Sequence, residues 1–313
     1  MNMLRLGIIV ADESESHLKI AKNIAKFANA EICKLTCNSD VIVAVDSSSP
    51  YLPPLALGKL RGAITTAFIH DVRSISHTHL TAEDAGRRPL EQRLRRMFSL
   101  DLVKPLIDIP LSPTHAIASV VKEYAKIEPC VVHLGVDHSI YRPLGNPKLR
   151  SRERRVILTV ATKPHIVKAS IAIFRNLRTK ARLLIRGSCI AKAPEVLCVP
   201  KLPEPELAKL YSYADVLLYP SLHEGFGLVV LEAMARGTPV IAFKKPAVME
   251  VAGDAAVFIK PTSLKEVAEI VDSVLSDDHL LEELRARALR RTREFTWRSV
   301  EELYKCILRK LVQ

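Results

Sequence analysis

One stretch leaves its backbone few choices: Tyr219-Pro-Ser-Leu-His-Glu-Gly-Phe-Gly-Leu-Val-Val-Leu-Glu-Ala-Met-Ala-Arg-Gly-Thr-Pro-Val-Ile-Ala242. Asp215 to Tyr219, just upstream, is short, apolar and β-prone, which predicts a strand buried on both faces. Gly225 and Gly227 follow, where a backbone turns sharply or lets a ligand come close. From Leu228 a helix carries Val229, Leu231, Ala233, Met234 and Ala235. Gly237 falls at its C′ position and Pro239 blocks continuation. Val240 to Ala242 opens the next strand. Strand, glycine loop, helix and strand in this order belong to an α/β fold.

A helix that begins after a glycine loop presents unpaired N–H groups and the positive end of its dipole, a setting that suits a phosphate. Glu224 stands in the loop before the helix. Glu232 lies about five residues into it, roughly 7 Å along the axis. That is about the separation between a nucleotide's diphosphate and its ribose, whose hydroxyls a carboxylate can accept. The plainer alternative is an acid favoured near a helix start together with a solvent-facing Glu232.

Pro220-Ser-Leu-His-Glu-Gly-Phe-Gly-Leu228, with Glu224 and Glu232 eight apart and Ala233-Met-Ala-Arg-Gly-Thr-Pro-Val-Ile-Ala242 behind, closely resembles the E-x7-E motif of the GT4-type retaining glycosyltransferases. Leu134-Gly-Val-Asp-His-Ser-Ile-Tyr-Arg-Pro143, Ser112-Pro-Thr-His115, Phe68-Ile-His-Asp71, Glu250-Val-Ala-Gly-Asp254 and Phe295-Thr-Trp297 resemble further segments of that family, in the right order. The resemblance implies a GT-B fold, two Rossmann-like doubly wound parallel-sheet domains facing across a cleft. It also implies a nucleotide-sugar donor, of UDP or GDP type, and no obligatory metal or other cofactor. The acceptor it implies is a hydroxyl, on a glycan or a lipid-linked saccharide. By the same resemblance Gly225, Phe226, Gly227, Leu228 and Glu232 bind the donor. Glu224 positions the transferred sugar, and His70, at a strand end, contacts the reacting region.

The rest of the chain fits two such domains, the natural division of 313 residues. Strand signals at Leu4 to Ala11, Asp40 to Asp46, Ala63 to Ile69, Ile109 to Leu111 and Val131 to Leu134 alternate with helical stretches. One of these, Ser112 to Lys126, is expected to carry Ser112 as its cap and Pro113 at its first position. Pro143 to Arg155 is polar, basic and rich in breakers, and reads as a linker. We therefore expect an acceptor-side domain over 1–145 and a donor-binding domain over 146–296. In the latter, strands are expected at 156–160, 182–186, 196–199, 215–219, 239–242 and 256–259. A last helix within 297–313 is expected to cross back, as the family's does.

Departures from the family pattern matter. The usual Gly-Arg pair after the first strand of the second domain is replaced by Ala161-Thr162. Lys163 and Lys168 keep a five-residue spacing of cations there and are the expected diphosphate ligands, with Arg186 in reserve and solvated lysines as the alternative. The Gly-rich loop after the first strand is absent; Val10-Ala-Asp-Glu-Ser-Glu15 stands in its place. A non-catalytic sugar-nucleotide-binding protein on the same fold is the second reading these gaps keep open.

A formal charge of +12 favours anionic partners. The chain has no recognisable nucleic-acid module, so nucleic acid is not expected. No apolar run nears the ~18 residues that span a bilayer, and a cytoplasmic protein is expected. Arg87 to Leu100 interleaves arginines with Leu90, Leu94, Met97 and Phe98 and suits either an anionic membrane or a solvated helix face. Glu250 suits either the nucleotide pocket or a cap, and His77-Thr-His79 lacks a third metal ligand. Gln occurs only at 92 and 313, a composition that leans toward a thermophile. The six cysteines show no C-x2-C spacing and are expected to be small buried residues, with disulfides only if the source is a hyperthermophile.

Overall fold

A computed structural model describes residues 4–11, 14–47, 49–70, 104–143, 154–161, 163–187 and 193–312. The basic stretch 87–100, His77 and His79, Thr162 and most of the linker lie outside them. Contacts divide the chain into two units, residues 1–135 with 297–313 and residues 136–296.

The first unit is a six-stranded parallel sheet of order β2-β1-β3-β4-β5-β6. Its strands are β1 (Leu6–Ile9), β2 (Glu31–Cys33), β3 (Val41–Ala44), β4 (Ile64–Phe68), β5 (Ile109–Ser112) and β6 (Cys130–Val131). Helices α1 (Glu15–Ala28), α2 (Leu52–Leu60) and α3 (His115–Ala125) connect them. β1 and β3 are buried at every position, as strands covered on both faces must be. Gly7 allows a close approach here, because a Cβ would lie 2.5 Å from Cys37 Cβ.

Three expectations need correction in this unit. Ser112 ends β5, pairing with Val131, and the cap of α3 is Thr114, whose side chain accepts from the Ile117 N–H. Strand pairing claims Ser112 first, so Pro113 precedes the helix instead of opening it. β2 and α2 were not foreseen: β2 is a largely exposed three-residue edge strand, and α2 carries two prolines and a glycine. The cysteines pair as well. Cys33 is bonded to Cys37 and Cys130 to Cys306; in the second unit Cys198 is disulfide-bonded too, and no free cysteine is present among the described residues. Spacing along the chain could not reveal a bridge between β6 and the C-terminal helix.

The second unit repeats the architecture with the order β12-β11-β10-β7-β8-β9, again all parallel. Its strands are β7 (Arg155–Ala161), β8 (Ala181–Gly187), β9 (Val196–Val199), β10 (Val216–Tyr219), β11 (Val240–Phe243) and β12 (Ala256–Ile259). The helices are α4 (Pro164–Arg175), α5 (Glu204–Tyr213), α6 (Leu228–Ala235), α7 (Pro246–Ala252), α8 (Leu264–Ser276) and α9 (Asp278–Arg291). Helix α10 (Val300–Val312) belongs with the first unit, where Tyr304 Oη donates to the Ala28 carbonyl at the end of α1.

The second unit starts at Val136, ahead of the polar linker. The Val136 N–H donates to Phe295 O at 3.1 Å, and Tyr141 donates to Glu204 and packs against Tyr211. Arg236, only 4% exposed, binds the same segment through the Ile140 and Arg142 carbonyls. Residues 136–142 are thus held within the second unit by its own backbone and side chains. Among the described residues no helix is long and apolar enough to cross a membrane.

Candidate functional site

The strand order places a topological switch point in the second unit. From β7 the chain runs outward to β8 and β9 on one side, then returns to β10 on the other. In open parallel sheets the crevice beyond the strand ends at such a point is where ligands bind. Two segments leave the strand ends at this point: Lys163 follows β7, and 220–227 follows its neighbour β10.

The loop after β10 is built by its glycines and one aromatic anchor. Gly227 is the N-cap of α6 with φ +99°, a conformation reserved for glycine, and its carbonyl accepts the Val230 and Leu231 N–H groups. The Leu228 and Val229 N–H groups have no intrahelical acceptor, as at any helix start, and no side chain caps this end. Phe226 is buried against Phe295 with ring centroids 5.9 Å apart, and Arg291 covers the far ring. Gly237, at φ +74°, closes α6 as the sequence predicts. A Cβ on Gly227 would come no nearer than 3.6 Å to another side chain, so Gly227→Ala meets backbone strain and no clash. We expect a loss of about 1–2 kcal/mol, read as a lower urea midpoint at unchanged slope.

The two glutamates have distinct surroundings. Glu224 is half-buried, and one oxygen, Oε1, accepts two hydroxyls, Tyr219 Oη and Ser221 Oγ, each at 2.7 Å. Among the described residues Oε2 accepts no hydrogen bond. Glu232 is only 4% exposed, which removes the solvent-facing alternative, and its Oε2 accepts Tyr211 Oη at 2.9 Å. Burial first, and then the neighbouring carboxylate, pushes both tyrosine hydroxyls well above their ordinary pKa of 10. Both therefore stay neutral donors at physiological pH. Neither tyrosine was singled out from the sequence, although the signal was there: Tyr211 and Tyr219 repeat the eight-residue spacing of the glutamates.

The cations divide. Lys163, half-buried, is the N-cap of α4 at the end of β7, whereas Lys168 is exposed in the second turn of that helix. Arg186 pairs with Val160 in the β7–β8 register and is 4% exposed. Glu250 lies on α7, its carbonyl bound by the Arg291 guanidinium. His70 stands in the first unit, just past β4. Its Nε2 donates to the Val45 carbonyl at 2.7 Å, and its ring lies between Phe68 and His17, at 5.6 and 5.7 Å.

Residues 190–294 match the family described as glycosyl transferases group 1. The chain is 37% identical over 95 residues to the O-antigen chain mannosyltransferase B of Escherichia coli, covering 30% of this chain and 25% of that protein. It is 31% identical over 204 residues to a D-inositol 3-phosphate glycosyltransferase of Thermobispora bispora, covering 53% of this chain and 47% of that one. The chain thus spans less than half the length of these curated relatives. Anabaena HepE, solved in complex with UDP and glucose, superimposes with a TM-score of 0.75 at 13% identity, over 97% of this chain and 99% of that one. That likeness shows the fold, with two Rossmann-like sheets of the GT-B kind.

Proposed function

We infer, for a chain whose residues 190–294 match the group 1 glycosyl transferases, that it moves a sugar from a nucleotide diphosphate donor to a hydroxyl acceptor with retention. The observation that carries this reading is the β10–loop–α6 unit. At the switch point it puts an uncapped helix start between a half-buried Glu224 and a buried Glu232. A loop carboxylate by chance would have neither the paired tyrosines nor that location.

In the step we propose, the bond between the anomeric carbon and the diphosphate oxygen breaks. The acceptor oxygen bonds to that carbon from the same face, and its proton passes to the departing phosphate. Negative charge grows on the diphosphate, so its holders must be stronger there than in the ground state. The α6 N-terminus, Lys163 and Lys168 are assigned that purpose. Glu224 stabilises and orients the sugar as positive charge develops, without acting as a nucleophile, and Glu232 accepts ribose hydroxyls. No metal is required. His70 is assigned to the reacting region. The donor is of UDP or GDP type, in keeping with the UDP held by HepE and with the mannosyltransferase named among the relatives. The acceptor is a glycan or lipid-linked saccharide, met at an anionic membrane face by the basic stretch 87–100.

A donor panel tests this. UDP-, GDP- and ADP-sugars are offered with and without lipid extract, reading thermal shift and release of free nucleotide. Stabilisation by one donor with lipid-dependent release supports the reading. Stabilisation without release under any acceptor favours the non-catalytic binding protein, and silence to every donor sinks both. Within the same assay Glu232→Ala should weaken donor binding by about 1–3 kcal/mol, the worth of hydrogen bonds to a charged group. Unchanged affinity would remove its assignment to the ribose.

A further inference from the structure

We propose that Tyr211 and Tyr219 are positioning residues that divide the labour of the two carboxylates. Tyr219, with Ser221, fixes Glu224 for sugar transfer, while Tyr211 fixes Glu232 for donor binding. The proposal rests on the transferase reading above and says how that site reaches its geometry.

A glutamate side chain has three rotatable bonds, and a loop glutamate has few neighbours to restrain them. A carboxylate oxygen offers two lone-pair directions. Tyr219 and Ser221 both donate to Glu224 Oε1, at 2.7 Å each, the Ser221 hydroxyl lying nearer to it than to the His223 carbonyl at 3.2 Å. Two donors on one oxygen fix the carboxylate plane and leave Oε2 as the oxygen that meets a ligand. The donors themselves are rigid. Tyr219 is the last residue of β10, 6% exposed and paired with Ala242 of β11, and Ser221 is 2% exposed. Tyr211 lies in the last turn of α5 and is fully buried, and its own carbonyl is tied by Thr238 Oγ1 at 2.8 Å, just beyond α6. Through its tyrosine each carboxylate is registered to a regular element, Glu224 to β10 and Glu232 to α5, and Ser221 adds a second donor to Glu224 from the loop itself. Such support is what holds reacting groups within a fraction of an ångström of their working positions.

The two tyrosines make opposite kinetic predictions, which a merely structural role would not. With UDP-glucose and GDP-mannose as donors, Tyr219→Phe should lower kcat about 10-fold while donor KM moves less than about 2-fold. Tyr211→Phe should reverse the pattern, raising donor KM about 10-fold with kcat nearly kept. Ser221→Ala should add to the kcat loss, and Ser221→Thr, which keeps the hydroxyl, should recover most of it. Unfolding midpoints of every variant accompany the kinetics. An active wild type whose Tyr→Phe variants lose nothing, or lose kcat and KM together in step with stability, overturns the proposal alone. A wild type inert to every donor removes the transferase reading and takes this proposal with it.

Discussion

Glu224→Gln is expected to abolish most nucleotide release, by about 10²–10³-fold, the range seen when one preorganised electrostatic group is removed from a transition state. Glutamine is the informative substitution because its amide oxygen can still accept Tyr219 and Ser221, so the loop keeps its hydrogen bonds and loses only the charge. Glu224→Ala would confuse the result. It strands a buried tyrosine hydroxyl, which costs about 1–3 kcal/mol of stability in its own right. Under the proposed roles, Glu224→Gln should bind donor with wild-type affinity and show an unchanged melting transition. The comparison to make is kcat against donor Kd for the two proteins. A glutamine variant at full kcat would strip Glu224 of its role, and one that loses donor binding instead would reassign it to the nucleotide.

How much of this was legible before the structure differs between the two units, for physical reasons. Strands β9 and β12 fall where the sequence reading puts them, at 196–199 and 256–259. The β10–α6 stretch is read almost residue by residue, because a buried strand, two glycines and a Gly-x-Pro stop each admit few conformations. The first unit is harder. β2 is too short and too exposed to leave an apolar run, α2 hides behind Pro53 and Pro54, and Ser112 offers equally good credentials as a cap and as a strand end. Within the site, the side chain of Glu232 could not have been placed. Every residue from Val230 to Ala235 is buried, so α6 has no polar face from which the direction of one carboxylate could be read. The bridge from Cys130 to Cys306 needed the tertiary fold, since the residues between them include the whole second unit.

Removing that bridge should be the largest single perturbation of stability. Cys130 and Cys306 are separated by 176 residues, both belong to the first unit, and the bond ties β6 to α10. In the chain-entropy account a loop of that length is worth about 5 kcal/mol, provided everything inside it is unfolded in the reference state. Here much of the loop is a domain of its own. Val136 and Phe295, near its two ends, are hydrogen-bonded to each other within the second unit. While that unit stays folded, the bridge closes only two short flanks, 130–136 and 295–306. A closed loop of that scale, roughly 19 residues, is worth about 3 kcal/mol. The paired variant Cys130→Ala/Cys306→Ala should therefore lower the first unit's melting transition by on the order of 10 °C and leave the second unit's in place. It is preferred to a reductant, which would also open Cys33–Cys37, a bridge spanning only four residues. Two resolved calorimetric transitions, of which one moves, is the expected trace. A common shift of both would mean that the units unfold together and would raise the loss toward 5 kcal/mol. If neither moves, α10 is held to the first unit by its packing, through Leu303, Ile307 and the buried Trp297 beside it, and the bridge contributes nothing measurable.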